Sequence, residues 1–306
     1  MEQGFDCRGD PRDHLMESTD YPALYQSADS GSNRAQRAYL AIVRSEYTLL
    51  AIAALLNALR GQIPWATDAL VFLLVLLFGL LIFRYVARYD RQWYACRALA
   101  ESVKTSSWKF LMRSHPFENS EEVTVPVRSF LNSLKKIRDD NDFLGVSLDS
   151  KFADKDQISD EMMRLRSLSV EDRREHYLQN RVRSQRQWYA RKASWNTRRR
   201  QAWFGVAILI YALAVAALLS PRVADFDVSL LFDFLIVLVT ASFGWLQVKR
   251  HGELAASYTL TAHEIGEIQG LANEVDSEQK LSDFVNAAEF AFSREHTQWA
   301  ARRDFN

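Results

Sequence analysis

The sequence predicts an all-α membrane protein, with two transmembrane helical hairpins (four spans) continuous with long cytoplasmic helices that form a bundle. Three observations predict it. Apolar runs recur at 47–59, 69–83, 201–219 and 230–248, and roughly 18 such residues at about 1.5 Å each approach the thickness of a bilayer's hydrocarbon core. The runs come in pairs, separated by the short breaks RGQIPWATD (60–68) and SPRVADFDVS (220–229). Lysine and arginine gather at the far ends of the runs and avoid those breaks.

Taken in order, residues 1–34 are rich in Asp, Ser, Gly and Pro and read as a polar, disordered leader. Their mixed charge and lack of an apolar core do not fit a signal peptide. Helical pattern begins at Ala35 and feeds the first run, a span so short that it must borrow flanking residues or thin the bilayer. Gly61 and Pro64 punctuate the turn. The second run, ALVFLLVLLFGLLIF, ends at Arg84, and residues 93–110 continue as helix because no Gly or Pro interrupts them; Pro116 marks the end. This gives a first hairpin with its helix over 35–117, then a polar connector over 118–168 containing one short helix, SFLNSLKKIRDD.

The second half runs from 169 to 306. Ser169 and Asp172 have capping-box spacing, and from there roughly 50 residues carry no breaker, a rod of about 75 Å. Within it, RVRSQRQWYARKASWNTRRR holds eight Lys/Arg and no acid, and leads directly into the uncharged third run. The fourth run exits at Lys249 and Arg250 into a mixed-charge helix and a final amphipathic one. RQWYA occurs at 91–95 and at 186–190, but once after a span and once before one, so the repeat lies in the architecture rather than the pentapeptide.

Orientation follows from the flanks. Arg37, Arg44, Arg84, Arg88, Arg91, Arg198, Arg199, Arg200, Lys249 and Arg250 stand at the open ends of the hairpins, whereas the breaks hold only Arg60 and Arg222 against Asp68, Asp225 and Asp227. The positive-inside rule puts both termini and the long helices in the cytoplasm. With 38 basic and 38 acidic side chains the net charge is zero, so no global polyelectrolyte partner is implied. Cys7 and Cys96 have no metal-ligand spacing, and His263, Glu264 and Glu267 lack a second histidine, so neither a metal nor a cofactor is expected. The phosphate-loop, dinucleotide, zinc-protease and nucleophile-elbow signatures are all missing, and the chain is not expected to be an enzyme.

Two groups of residues could carry function. Asn57, Asp68, Asp233 and Thr240 are polar positions in or beside the spans, where burial in hydrocarbon costs about 2.5–3.5 kcal/mol for a charge. They could line a water-filled path with a cation-favouring carboxylate ring; equally, Asp233 could reach the interface and Thr240 bond its own backbone. The second group mixes bases and rings: Lys104, Trp108, Lys109 and Arg113 on one long helix, Arg183, Arg186, Trp188 and Lys192 on the other. Such sets offer phosphate contacts and stacking surfaces for bases. Arg84, Arg88, Arg198, Arg199, Arg200, Trp203, Lys249 and Arg250 fit lipid headgroups and an interfacial belt.

RALAESVKTSSWKFLMRSHPF (97–117), YLQNRVRSQRQWYARKASWNTRRRQAW (177–203), GELAASYTLTAHEIGEI (252–268) and SREHTQWAARRD (293–304), together with the spans, resemble a tandem pair of SLATT domains. These are two-span prokaryotic membrane effectors found beside nucleotide-sensing or nucleotide-making components of anti-phage systems, Hailong-type systems among them. The resemblance implies a pore-forming effector in the bacterial inner membrane, gated by a nucleotide or short single-stranded oligonucleotide from a partner nucleotidyltransferase. A homo-oligomer, expected to be a tetramer, would surround the path. The rival reading is a membrane-anchored scaffold that docks a soluble partner without conducting ions.

Overall fold

The computed structural model describes residues 16–301 apart from 119–121, 123, 146, 220–221, 224–225 and 228–230; it leaves the side chains of 222–223, 226–227 and 294–301 undescribed. Helices follow in the order α1 (Ala23–Leu59), α2 (Ala66–Ala87), α3 (Tyr89–Leu111), α4 (Thr124–Asp139), α5 (Asp160–Ser167), α6 (Val170–Tyr177), α7 (Ser184–Leu219), α8 (Phe232–Lys249), α9 (His251–Gly270) and α10 (Glu278–Ala301). Among the described residues four stretches are long and apolar enough to cross a membrane, within Ala23–Leu59, Ala66–Leu111, Val170–Leu219 and Phe232–Glu274. The chain is an all-α membrane protein. Between α7 and α8 a two-residue antiparallel pairing sets Arg222 opposite Asp227 and Val223 opposite Phe226.

The residues divide into two compact units. Among the described residues, a polar unit takes those up to Ser30, Arg97–Gln185 and those from Ile265 on; a span unit takes Gly31–Cys96 and Arg186–Glu264.

The polar unit has an aromatic core. Phe110 stacks on Phe130 with centroids 4.5 Å apart, and Phe117 meets both edge-on. Two arginines are drawn into this core because its backbone carbonyls need donors. Arg166 donates to the carbonyls of Phe110 and Phe117, while Arg173 donates to Met112 O at 2.8 Å and pairs with Glu278. Burial pushes the Arg166 guanidinium down to about 10, helped by Arg113 and Arg173 nearby. Ser169 caps α6 as its spacing predicts, accepting from Asp172 N at 3.1 Å. The helix runs on into α7 without a break, as expected over Val170–Leu219, through a π turn at Leu178–Arg183 that buries Leu178, Arg181 and Val182 together.

In the span unit, α1 and α8 approach closely. A Cβ built on Gly244 would lie 2.3 Å from Tyr47 Oη and 2.8 Å from its Cζ, so with the ring in this position the site holds glycine. Arg44 sits over the Trp245 ring, 5.5 Å from its centre. Both second spans end in the same way, at Arg88 (φ 47°) and Arg250 (φ 49°), which adopt the left-handed conformation.

Three readings of the sequence are corrected. Residues 23–34, read as part of a disordered leader, are the opening turns of α1, with Ala23, Ala28 and Ser32 buried; small side chains that look like linker composition serve here as close-packing positions. Residues 1–15 of that leader lie outside the described residues. The expected unbroken passage from the second span into residues 93–110 is interrupted at Arg88, a break made without Gly or Pro. The connector holds α5 as well as α4, started by Ser159, whose hydroxyl accepts from Met162 N.

Candidate functional site

The polar residues of the spans gather at the turn ends of the two hairpins. Asn57 lies in the last turn of α1 and is exposed. Asp68 and Asp233 are the acids in the first turns of α2 and α8, the second span of each hairpin, and both are exposed. A carboxylate at that place complements the unpaired N–H groups and positive end of the helix. Thr240 is exposed deeper in α8, and its hydroxyl donates to Ile236 O at 3.0 Å; Ser242 does the same to Leu238 O at 2.8 Å.

The proposed ligand residues of α3 do not form a stacking surface. Trp108 is 1% exposed. Its Nε1 donates to Tyr21 Oη at 2.9 Å, and its ring meets Tyr177 edge-on at 5.6 Å. It is a core side chain, which corrects its reading as a base-stacking ring. A tryptophan flanked by lysines looks alike in sequence in both roles; the deciding partners, Tyr21 and Tyr177, lie far away along the chain. Lys104 rests over the Tyr21 ring at 5.8 Å, and loss of hydration pushes its ammonium down to about 8. Burial likewise lowers Lys109. Arg113, in the left-handed conformation, donates to Arg166 O at 2.9 Å and reaches Glu278 at 3.4 Å, so it holds the turn after α3.

Beside them lies a buried polar centre that the sequence reading missed. Arg181 donates to both oxygens of Glu289, Tyr177 Oη donates to Glu289 Oε1 at 3.0 Å, and Thr105 donates to Oε2 at 2.9 Å. Burial raises the Tyr177 phenol, reinforced by the adjacent carboxylate, so it stays protonated. No local signal marks Arg181 or Glu289, because each looks like one more charge on a polar helix.

On α7 the basic residues separate by face. Trp188, Lys192, Trp195 and Arg199 form a ladder: Lys192 Nζ lies 5.7 Å from one tryptophan ring and 5.6 Å from the next, and Arg199 lies 5.3 Å from Trp195. The adjoining face carries Arg186, Ala190, Ala193, Ser194, Thr197 and Arg198, which with Thr259, Ala262 and His263 of α9 line a groove of about 510 Å³. Arg183 lies elsewhere, 3.5 Å from Glu175.

The residues read as membrane-interface contacts carry aromatic and acidic partners. Arg84 pairs with Glu46 at 2.6 Å and Arg250 with Glu253 at 2.6 Å. Lys249 lies over Trp245, whose ring faces Trp203 at 6.4 Å. Arg198, Arg199 and Arg200 are exposed. Among the described residues no His, Cys, Asp and Glu group is placed to hold a metal ion.

Two apolar hairpins, each ending its second span at an arginine in the left-handed conformation, define a multi-pass membrane protein built from a duplicated plan. Residues 22–174 match the SMODS and SLOG-associating 2TM effector domain 3, and residues 177–299 match the SMODS and SLOG-associating 2TM effector domain 1. The chain belongs to this SLATT family and is a tandem member of it, a membrane effector. No curated protein and no solved structure matches it.

Proposed function

We propose that this chain assembles with copies of itself into an ion channel of the bacterial inner membrane, with both termini in the cytoplasm. An anionic nucleotide or short single-stranded oligonucleotide, made by a partner nucleotidyltransferase, sets its state. Conduction would disrupt the membrane and arrest or kill the phage-infected cell. The observation that carries this reading is the matched placement of Asp68 and Asp233, an exposed carboxylate opening the second span of each hairpin. Four spans with so few polar side chains cannot wall a pore alone, so several copies must supply it; the carboxylates would then recur around its mouth and favour cations.

The groove between α7 and α9 supports the ligand side of the reading. Arg186 and Arg198 both line it, twelve residues apart on α7, about 18 Å along the axis and about a third of a turn around it. A lone lipid headgroup is too short to meet both, whereas successive phosphates of an oligonucleotide are not. Moving a 1:99 population to 99:1 requires a preference of about 5.5 kcal/mol, within reach of several charge-assisted contacts of about 1.5–3 kcal/mol each.

The test is ion flux and reversal potential in liposomes, with and without short oligonucleotides. Asp68→Asn with Asp233→Asn is expected to lower cation preference. Absence of flux from the wild-type protein under every condition would favour a scaffold that docks a soluble partner.

A further inference from the structure

The two second spans end in one unusual geometry, repeated. Arg88 has φ 47° and ψ 38°, Arg250 φ 49° and ψ 34°. Each N–H donates to the carbonyl four residues back, Arg84 O at 3.2 Å and Leu246 O at 2.9 Å. Each carbonyl then accepts from the residue four ahead, Gln92 N at 3.2 Å and Leu254 N at 3.0 Å. One arginine thus closes a helix and opens the next, with α3 starting at Tyr89 and α9 at His251.

A side chain with a Cβ is strained in this conformation. A glycine would remove the strain, and a straight helix would remove it equally, since no Pro stands at either site, Gly252 near the second is tolerated within a helix, and the backbone partners would be regained. Strain kept at the same place in both halves points to use rather than accident. The corners differ in one respect. Arg84, whose carbonyl holds the Arg88 corner, pairs through its guanidinium with Glu46 of α1, and Glu46 Oε1 is buried without a hydrogen-bond partner. At the second corner the corresponding residue is Leu246, which has no charge to pair.

We propose that Arg88 and Arg250 are paired hinges, each exchanging between the left-handed corner and a continuous helix, and that this exchange changes the conducting state of the span unit. The Glu46–Arg84 pair restrains the first hinge, and the buried hydrogen bond between His251 and Asn196 of α7, 2.7 Å long, restrains the second. The link to conduction rests on the channel reading; the bending itself does not.

The test measures spin-label distances across each hinge in full-length protein in lipid nanodiscs, with Cys7 and Cys96 replaced by serine. Labels at Thr240 and Leu260 would stand about 30 Å apart along a continuous helix, and labels at Leu76 and Ser102 about 39 Å; a corner shortens both. Wild type is expected to show two distances. Arg88→Gly and Arg250→Gly favour the corner, with the ratio of corner to continuous helix rising about five- to thirtyfold. Arg88→Ala and Arg250→Ala favour the longer distance, Arg250→Lys matches wild type, and Glu46→Gln releases the first hinge alone. One short distance shared by wild type, glycine and alanine variants would overturn the hinges. Shifted distances with unchanged liposome flux would overturn their role in conduction. If wild type passes no ions at all, the channel reading fails, while the distances still decide the hinges.

Discussion

Arg181 and Glu289 are joined by two charge-assisted hydrogen bonds, Nε to Oε1 at 2.8 Å and Nη2 to Oε2 at 2.7 Å, with both side chains removed from solvent. The π turn between α6 and α7 brings the arginine inward, and Tyr177 and Thr105 occupy further lone pairs of the carboxylate. Removing one partner leaves an uncompensated charge in the core. Glu289→Gln or Arg181→Met alone is expected to cost about 3–5 kcal/mol, and the joint change to Met and Leu to recover most of it. Thermal unfolding in detergent measures both; equal midpoints for single and double variants would show that the pair is not coupled.

Lys104 supplies a pH test. Burial holds its ammonium near 8, against about 10.4 for a free lysine. Between these values the unfolded chain binds the proton and the folded chain does not, so stability rises with pH above 8. Lys104→Met is expected to flatten that rise between about pH 8 and 9.5. It should also stabilise the protein at pH 7 by about 1–2 kcal/mol, less than the full shift because the ammonium keeps partial solvent contact. Unfolding midpoints of the two proteins across this range decide it.

A side chain at Gly244 is expected to displace the tip of the Tyr47 ring. Gly244→Ala forces the Tyr47 ring off the α8 backbone, a crowding that commonly costs about 1–3 kcal/mol. Adding Tyr47→Leu should restore part of the loss. A Gly244→Ala protein with unchanged thermal midpoint would show that the α1–α8 approach is loose.

Charge reversal separates the two basic regions. Arg186→Glu with Arg198→Glu is expected to weaken single-stranded oligonucleotide binding and reduce the salt slope by about 1.4, two phosphate contacts at about 0.7 each. Trp108→Ala should instead destabilise the fold by about 3–5 kcal/mol, leaving the salt slope of the folded fraction unchanged. Titrations at several salt concentrations, beside an unfolding curve, distinguish them.

The spans, both hairpin breaks and the Ser169 cap were legible because each depends on neighbours within a few residues: apolar length, Gly or Pro, or a hydroxyl three positions before an acid. The corners at Arg88 and Arg250 were not, since their conformation has no residue signature and the sequence favours uninterrupted helix there. The candidate site was legible in part. Asp68 and Asp233 stand exposed at the span starts, and Arg186 opens a groove. Trp108 and Arg113 instead proved to be structural, because partners brought from Tyr21, Arg166, Tyr177 and Glu278 claim them. Spacing along one helix says which face a side chain shares, not whether another helix covers that face.

The two effector domains share one continuous polypeptide, residues 22–174 followed by 177–299. Covalent linkage fixes their ratio at one to one, whatever the rates of synthesis or degradation. Neither half is lost by dilution, since each meets the other at the high local concentration set by a short tether. Any closed ring of such chains therefore holds an even number of hairpins, of two kinds in equal supply. The two kinds are not interchangeable: the first carries the Glu46–Arg84 tie at its corner, where the second has Leu246.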